Sequence, residues 1–113
     1  MKFLVLLYQD ERIWREATPE EQERYYVEHG AFDEAIPQRG ATLLASEALA
    51  GVRSATTVRR DGASITVTDG PFAETAEQLG GFYLLEAPDL DVVTGLVALL
   101  PPYTIEVRPV VQM

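Results

Sequence analysis

The segment Thr68-Asp69-Gly70-Pro71-Phe72-Ala73-Glu74-Thr75-Ala76-Glu77-Gln78-Leu79-Gly80-Gly81 is the stretch around which the rest of the chain is arranged. An apolar run, 65–67, leads into its Gly-Pro turn, and the two glycines at its end open a second apolar run, 82–85. Because glycine and proline mark turns, the segment separates two strands. Its density of turn residues and carboxylates indicates that it forms one wall of a cleft.

Working outward from this segment, apolar runs and alternation predict six strands. These strands are expected at 2–8, 41–49, 54–60, 63–68, 80–87 and 103–111. Between the third and fourth strands, Asp61-Gly62 predicts a two-residue type I′ hairpin turn. We interpret residues 9–17 as a polar connector and residues 73–79 as a helical turn.

Two helices are predicted, at 19–38 and 90–100. Thr18 can cap the first helix, Pro19 suits its first turn, and Glu21 stands where a capping box places its acid. Asp89 can cap the second helix. Apolar and aromatic side chains recur on one stripe of the first helix, which we expect to face the sheet: Tyr25, His29, Phe32 and Ile36.

This order of elements predicts an α+β fold of the ferredoxin-like type, βαβ(ββ)βαβ, with two helices on one face of an antiparallel sheet. The strands 2–8 and 80–87 are apolar on both faces. If helices cover one face, the other exposes an apolar set, so we expect a homodimer. That set is expected to be either Phe3, Val5, Leu7, Phe82 and Leu84, or Leu4, Leu6, Tyr83 and Leu85.

The composition indicates a single domain and limits the classes of partner that the chain can bind. Its 113 residues, 47 % of them hydrophobic, fit a single domain spanning residues 1–113. Eighteen acids against nine Lys and Arg give a formal charge of -9, which disfavours nucleic acid and anionic membranes as partners. The apolar run 3–8 is too short for a signal peptide or a membrane span, so we expect a cytoplasmic protein.

The motif Asp69-Gly70-Pro71-Phe72 resembles the signature of the DGPF branch of the YCII-related (YciI-like) family. Four flanking patterns carry the same resemblance over nearly the whole chain: the opening 1–8, Gly40 followed by Ser46-Glu47-Ala48-Leu49, 56–59, and 106–109. The resemblance implies the ferredoxin-like plan. It also implies the paired sheets of the dimeric α+β barrel superfamily.

His29 is the only imidazole, and it lies on the apolar stripe of the first helix. It is either a hydrogen-bonded core histidine or a catalytic group. The resemblance favours catalysis, because family members carry a suspected catalytic histidine about three turns before the glycine that Gly40 matches. They pair it with the aspartate of an Asp-Pro-Tyr run, whereas the matching stretch here, 100–103, contains no acid.

Another carboxylate would therefore have to pair with His29. Asp69 is the first choice, since an acid at a hairpin end can project into the cleft, and Asp33, four residues along the helix, is the second. Asp69 can equally serve the turn alone. Glu74 and Glu77 either line the cleft or form a solvated face, and Ala76 stands where the family motif usually has a lysine.

Arg108 shares a strand face with Glu106. Arg108 can stabilise developing negative charge on a ligand, or the two can join Glu47 and Arg59 in a structural ion-pair network. One histidine and no cysteine do not make a typical zinc site, and the acids lack calcium-loop spacing. No phosphate-binding loop is present either, so neither a metal nor a cofactor is expected.

Two functions fit these features. The first is a general acid/base enzyme that acts on a small cyclic or carbonyl-bearing molecule, with His29 as base, Asp69 as its partner and Arg108 as charge stabiliser. The second is a non-catalytic small-ligand-binding or accessory module. The resemblance allows this second function, since it implies an association of DGPF proteins with sigma-factor regulation.

Overall fold

A computed structural model describes residues 1–113 as six strands and three helices. The elements are β1 Lys2–Gln9, α1 Glu11–Arg15, α2 Pro19–Gln38, β2 Thr42–Ala48, β3 Thr56–Asp61, β4 Ser64–Asp69, β5 Gln78–Glu86, α3 Leu90–Val97 and β6 Thr104–Pro109. Four strands form an antiparallel sheet in the order β2-β5-β1-β6, and β3 and β4 form a separate hairpin. This is the ferredoxin-like α+β plan that the sequence predicted.

The caps at the helix starts explain where the two long helices begin. Thr18 Oγ1 accepts a hydrogen bond from the Glu21 backbone N–H at 3.1 Å, and the Glu21 carboxylate accepts one from the Thr18 N–H at 3.0 Å. The predicted capping box is therefore confirmed. Asp89 caps α3 through the Val92 N–H at 3.0 Å, also as predicted, but α3 ends at Val97, earlier than expected.

The core lies between one face of the four-stranded sheet and the helices α2 and α3. Its buried hydrophobic members are Phe3, Val5, Leu7, Phe32, Ala35, Ile36, Ala41, Tyr83, Leu85, Ala87, Val93, Leu96 and Leu100. The chain is only 18 Å thick along its shortest axis, which fits one sheet and one helical layer. No helix has the length and apolarity that crossing a membrane requires.

The register of β1 and β5 fixes which apolar residues share a face. Val5 is opposite Tyr83, and Leu6 is opposite Phe82. Because opposite residues of an antiparallel pair lie on the same side, the helix-covered face carries Val5 and Tyr83. The other face, which we call the open face, carries Leu4, Leu6, Phe82 and Leu84. The predicted grouping of Phe3, Val5 and Leu7 with Phe82 and Leu84 is therefore wrong, since alternation within each strand does not give the register between strands.

Two connecting segments differ from their predicted structure. The connector 9–17 contains the helix α1, which Asp10 caps through the Arg12 N–H and which is too short for periodicity to show. Residues 73–79 form no helical turn: Thr75 Oγ1 donates to the Glu77 carbonyl at 2.5 Å and Gln78 Nε2 donates to the Thr75 carbonyl at 2.6 Å. Such side-chain bonds to the backbone compete with a helix.

The hairpin turn consists of Gly62 and Ala63, because Asp61 pairs with Ser64. Only Gly62 of these residues has a positive φ, 61°. A type I′ turn needs positive φ at both central positions, whereas type II′ needs it only at the first. The predicted hairpin is confirmed, but its predicted turn type and position are wrong.

The hairpin stands away from the main sheet. Its apolar face is largely exposed, with Val58 at 61 %, Ile65 at 64 % and Val67 at 64 %. The radius of gyration is 16.2 Å, against roughly 13 to 14 Å for a compact chain of this size. At the base, the Gly70 N–H donates to the Ala55 carbonyl at 2.7 Å. The central motif thus follows a projecting arm rather than a core strand.

Candidate functional site

A cavity of about 840 Å³ lies on the helix side of one end of the sheet. Its walls come from β1, α1, α2, β2 and β5, and from Tyr103, which precedes β6. The aromatic side chains on the helix side of this lining are Trp14, Tyr25, Tyr26, Tyr83 and Tyr103, and His29 lies among them. The volume falls within the range of small-molecule sites, roughly 300 to 1,000 Å³.

His29 lies in the cavity wall between two tyrosine hydroxyl groups. Its Nδ1 is 2.6 Å from the Tyr83 oxygen, and its Nε2 is 2.7 Å from the Tyr103 oxygen. A neutral imidazole accepts from one hydroxyl and donates to the other, and an imidazolium donates to both. The tyrosine pair can therefore satisfy the hydrogen bonds of His29 in either charge state.

Burial sets the proton affinities in this cluster. It lowers the pKa of His29 below its usual 6.5, although the charges of Asp33 and Glu28 act in the opposite direction. Burial also raises the pKa of Tyr103 to about 12, with smaller contributions from Tyr25 and Glu28. At neutral pH the cluster thus holds a neutral imidazole between two protonated phenols.

A second aromatic group continues the wall beyond Tyr103. The Tyr25 ring centroid lies 5.8 Å from that of Tyr103, and the Trp14 centroid lies 5.7 Å from those of Tyr25 and Tyr26. The Tyr25 hydroxyl accepts a hydrogen bond from Gln9 Nε2 at 2.7 Å, which leaves the phenolic proton free to donate. The cavity therefore offers flat apolar surfaces next to phenolic donors.

The predicted pair of His29 and Asp69 is not formed within the chain. Asp69 is the last residue of β4, is exposed, and does not line the cavity. The projecting hairpin carries it away from α2, and tyrosines occupy both ring nitrogens of His29. The carboxylates whose charge acts on His29 are Asp33, which the sequence ranked second, and Glu28.

Arg108 lies on the open face of the sheet, on the side opposite His29. Its Nε is 3.1 Å from Glu106 Oε2 on the same strand. Glu47 on β2 borders the cavity, but it is opposite Phe82, so its side chain lies on the open face. Arg59 on the hairpin donates to the Phe72 carbonyl at 3.1 Å. The predicted network of four charges is therefore reduced to one local ion pair, and Arg108 does not reach the cavity.

The two glutamates of the central motif lie outside the main cavity. Glu77 Oε2 accepts a hydrogen bond from Thr104 Oγ1 at 2.6 Å. Glu74 and Ala76 line a second cavity of about 510 Å³. No three His, Cys, Asp or Glu side chains converge in an arrangement that could hold a metal ion.

The stripe on α2 predicted that His29 faces the sheet, but the sequence did not show that Tyr83 and Tyr103 bind its ring nitrogens. Tyr103 belongs to the stretch in which the expected acid is lacking, so that stretch supplies a phenol to His29 in place of a carboxylate. Tyr83 alternates with the core residue Leu85 on β5, and that alternation was a signal that it faces the helices. Arg15 and Trp14 lie on α1, the helix that periodicity did not show.

The fold and the cavity define a ferredoxin-like α+β domain with a pocket of ligand size. The chain belongs to the family of the YCII-related domain, whose sequence model matches residues 1–113. An uncharacterized protein of Rhizobium meliloti (strain 1021) is similar to it, with 37 % identity over 91 residues, which cover 80 % of this chain and 73 % of that protein.

Proposed function

We propose that the chain is a general acid/base catalyst for a small molecule bound in the 840 Å³ cavity. His29 is the base, and it acts through the hydroxyl of Tyr103. The observation that carries this proposal is the position of His29 between two phenolic oxygens in the cavity wall. A tyrosine thus takes the place that the sequence assigned to Asp69.

The lowered pKa of His29 supports the role of base, because the ring is neutral and able to accept a proton at pH 7. The high pKa of Tyr103 argues against a free tyrosinate as base, so its hydroxyl works as a relay. Tyr83 accepts a hydrogen bond from the opposite ring nitrogen when His29 becomes charged. The new charge therefore forms next to an acceptor that is already in place.

In the proposed reaction two protons move, one from the ligand to Tyr103 and one from Tyr103 to His29. A proton leaves a carbon or oxygen of the ligand for the Tyr103 oxygen while the Tyr103 hydroxyl proton moves to Nε2 of His29. The products are a ligand anion and an imidazolium, and reversal of the path returns the proton to the same or another ligand atom. An enolisable carbonyl compound is the ligand class that undergoes this change without a cofactor.

Exchange of α-hydrogen for deuterium tests this proposal. A panel of enolisable cyclic ketones and aromatic 2-oxo acids is incubated with the protein in D₂O and followed by NMR. We expect catalysed exchange of at least one compound, lowered about 10²- to 10⁴-fold in His29→Asn and in Tyr103→Phe. Tyr8→Phe is the matched control, because Tyr8 loses the same hydroxyl outside the cavity. Exchange that is equal in all four proteins contradicts the proposal.

A second candidate is a binding module without turnover, of the kind that the resemblance connects with sigma-factor regulation. The observation that favours it is that both nitrogens of His29 already have partners, as in a histidine that only shapes a wall. The same experiment separates the two functions. Saturable binding of a compound whose hydrogens do not exchange favours the module.

A further inference from the structure

We propose that the cavity takes an aromatic carboxylate and that Arg15 binds its carboxylate group. The inference rests on the cavity of the proposed function and names the ligand class that this cavity accepts. It concerns binding, and it holds whether or not His29 transfers a proton. Nothing in the family match or in the similar protein assigns a role to Arg15.

Arg15 is the only lysine or arginine in the wall of the main cavity. It takes part in none of the three ion pairs of the structure, Met1 with Glu86, Arg12 with Asp10, and Arg108 with Glu106. Its guanidinium makes no hydrogen bond within the chain, although guanidinium is the group best shaped to hold a carboxylate through two parallel bonds. Arg15 is therefore a free cation at the edge of an aromatic cavity.

The two carboxylates in the cavity wall do not neutralise Arg15. Glu11 lies four residues earlier on α1, but its Oε1 accepts a hydrogen bond from the Val52 N–H at 2.7 Å. Glu47 is opposite Phe82 in the sheet, so its side chain lies on the face away from Tyr83. The charge of Arg15 also helps to lower the pKa of Asp10, but that carboxylate is paired with Arg12 at 2.7 Å. Arg15 itself forms no ion pair, so its N–H donors are left for a ligand.

The aromatic side chains of the cavity wall favour a ligand with a flat ring. Trp14 precedes it on α1 and contacts Tyr25 and Tyr26, with centroid distances of 5.7 Å. Aromatic rings pack well in offset or edge-to-face arrangements with such side chains. Tyr25 in turn contacts Tyr103, at 5.8 Å. A carboxylate at Arg15 therefore places an attached ring against the aromatic wall, with its far end directed towards Tyr103 and His29.

Binding of 2-naphthoate and of its neutral analogue 2-naphthamide tests this inference. The indole N–H signal of Trp14, the only tryptophan, reports on the cavity in ¹H–¹⁵N spectra. We expect saturable shifts with naphthoate, and binding that is roughly tenfold or more weaker in Arg15→Gln. Arg15→Lys should recover part of the lost affinity, because lysine keeps the positive charge but lacks the two parallel N–H donors of the guanidinium group.

Arg53→Gln is the matched control. Arg53 lines the second cavity together with Arg15 but does not line the first, so its loss removes the same charge nearby. Naphthoate binding should change less than about threefold in this variant, a small electrostatic effect for a charge outside the site. The affinity for naphthamide should be the same in wild type and in Arg15→Gln.

Three results would overturn the inference: no binding of naphthoate, equal affinity for naphthoate in wild type and Arg15→Gln, or an equal loss in Arg53→Gln. Its failure is distinguishable from failure of the proposed function, since binding is read without turnover. Arg15-dependent binding without any hydrogen exchange rejects the catalysis alone. Exchange of an aromatic 2-oxo acid that does not depend on Arg15 rejects the ligand class alone.

Discussion

The two central strands of the sheet, β1 and β5, carry similar numbers of apolar side chains on each face, but the two faces have very different surroundings. On the helix-covered face, Val5 and Leu85 are 0 % exposed, and Tyr83 holds His29 in the cavity wall. On the open face, Leu6 and Leu84 remain partly exposed, and they share that face with the charged residues Lys2, Glu47, Glu86, Glu106 and Arg108. Helices of the same chain therefore cover one face, whereas the other face stays partly exposed.

This difference teaches that alternation predicts two apolar faces but does not predict which of them the chain uses. Helices α2 and α3 cover the face that carries Tyr83, and so bring His29 to it. Arg108 lies on the open face and does not line the cavity, so it does not share a site with His29 in the same chain. The following predictions test the two faces against each other, from the largest expected effect to the smallest.

Leu85→Ala and Leu84→Ala make the same chemical change on neighbouring residues of opposite faces. Leu85 is fully buried, so its truncation should lower the free energy of unfolding by about 2 to 5 kcal/mol. Leu84 is partly exposed, and at low protein concentration its truncation should cost roughly 1 kcal/mol or less. Urea denaturation measures both. Equal losses would contradict the assignment of the two faces.

The second prediction concerns what covers the open face. We expect a second copy of the chain to cover it, because burial of each large apolar side chain contributes about 1.5 to 3 kcal/mol. Sedimentation equilibrium should give about twice the 12.5 kDa of one chain at micromolar concentrations. Leu84→Asp should weaken association roughly 30-fold or more, since it removes an apolar contact and introduces a charge.

A mass near 12.5 kDa that persists at high protein concentration would reject this dimer. A further check links it to the first prediction. If the open face is the interface, the cost of Leu84→Ala rises with protein concentration, whereas the cost of Leu85→Ala changes little.

Local chemistry made much of the fold predictable. The Thr18 and Glu21 capping box and the Asp89 cap depend on residues three positions apart, and both were found from the sequence. The hairpin was found too, but the Asp-Gly signal did not show that Gly62 takes the first central position of the turn. The turn was predicted wrongly because the Asp-Gly pattern is compatible with more than one pairing register of the two hairpin strands.

The site was less predictable because its contacts are long-range. The stripe on α2 placed His29 towards the sheet, but Tyr83 and Tyr103 are 54 and 74 residues away in sequence. Only the sheet register and the path after α3 bring their hydroxyls to the imidazole. Asp69 belongs to the most distinctive stretch of the sequence, yet the hairpin takes it away from the cavity.

The third prediction uses the pH dependence of stability. The pKa of His29 is lowered on folding, so the unfolded chain binds a proton more readily. The contribution of His29 to stability is therefore complete above its unfolded pKa, near 6.5, and is lost as the pH falls through the folded value. The free energy of unfolding of the wild type should fall between pH 7 and 5 more steeply than that of His29→Gln. Parallel profiles of the two proteins would contradict the burial of a neutral imidazole.

The smallest effect is expected for the ion pair on the open face. The side chains of Arg108 and Glu106 are 70 % and 42 % exposed, so solvent screens their attraction. Arg108→Gln should change the free energy of unfolding of the monomer by about 0.5 kcal/mol or less in urea denaturation. In a dimer that buries this face, the same substitution leaves the Glu106 carboxylate buried without its partner. The loss in the free energy of unfolding is then larger. A loss that stays small at every protein concentration would indicate that the interface leaves this pair in water.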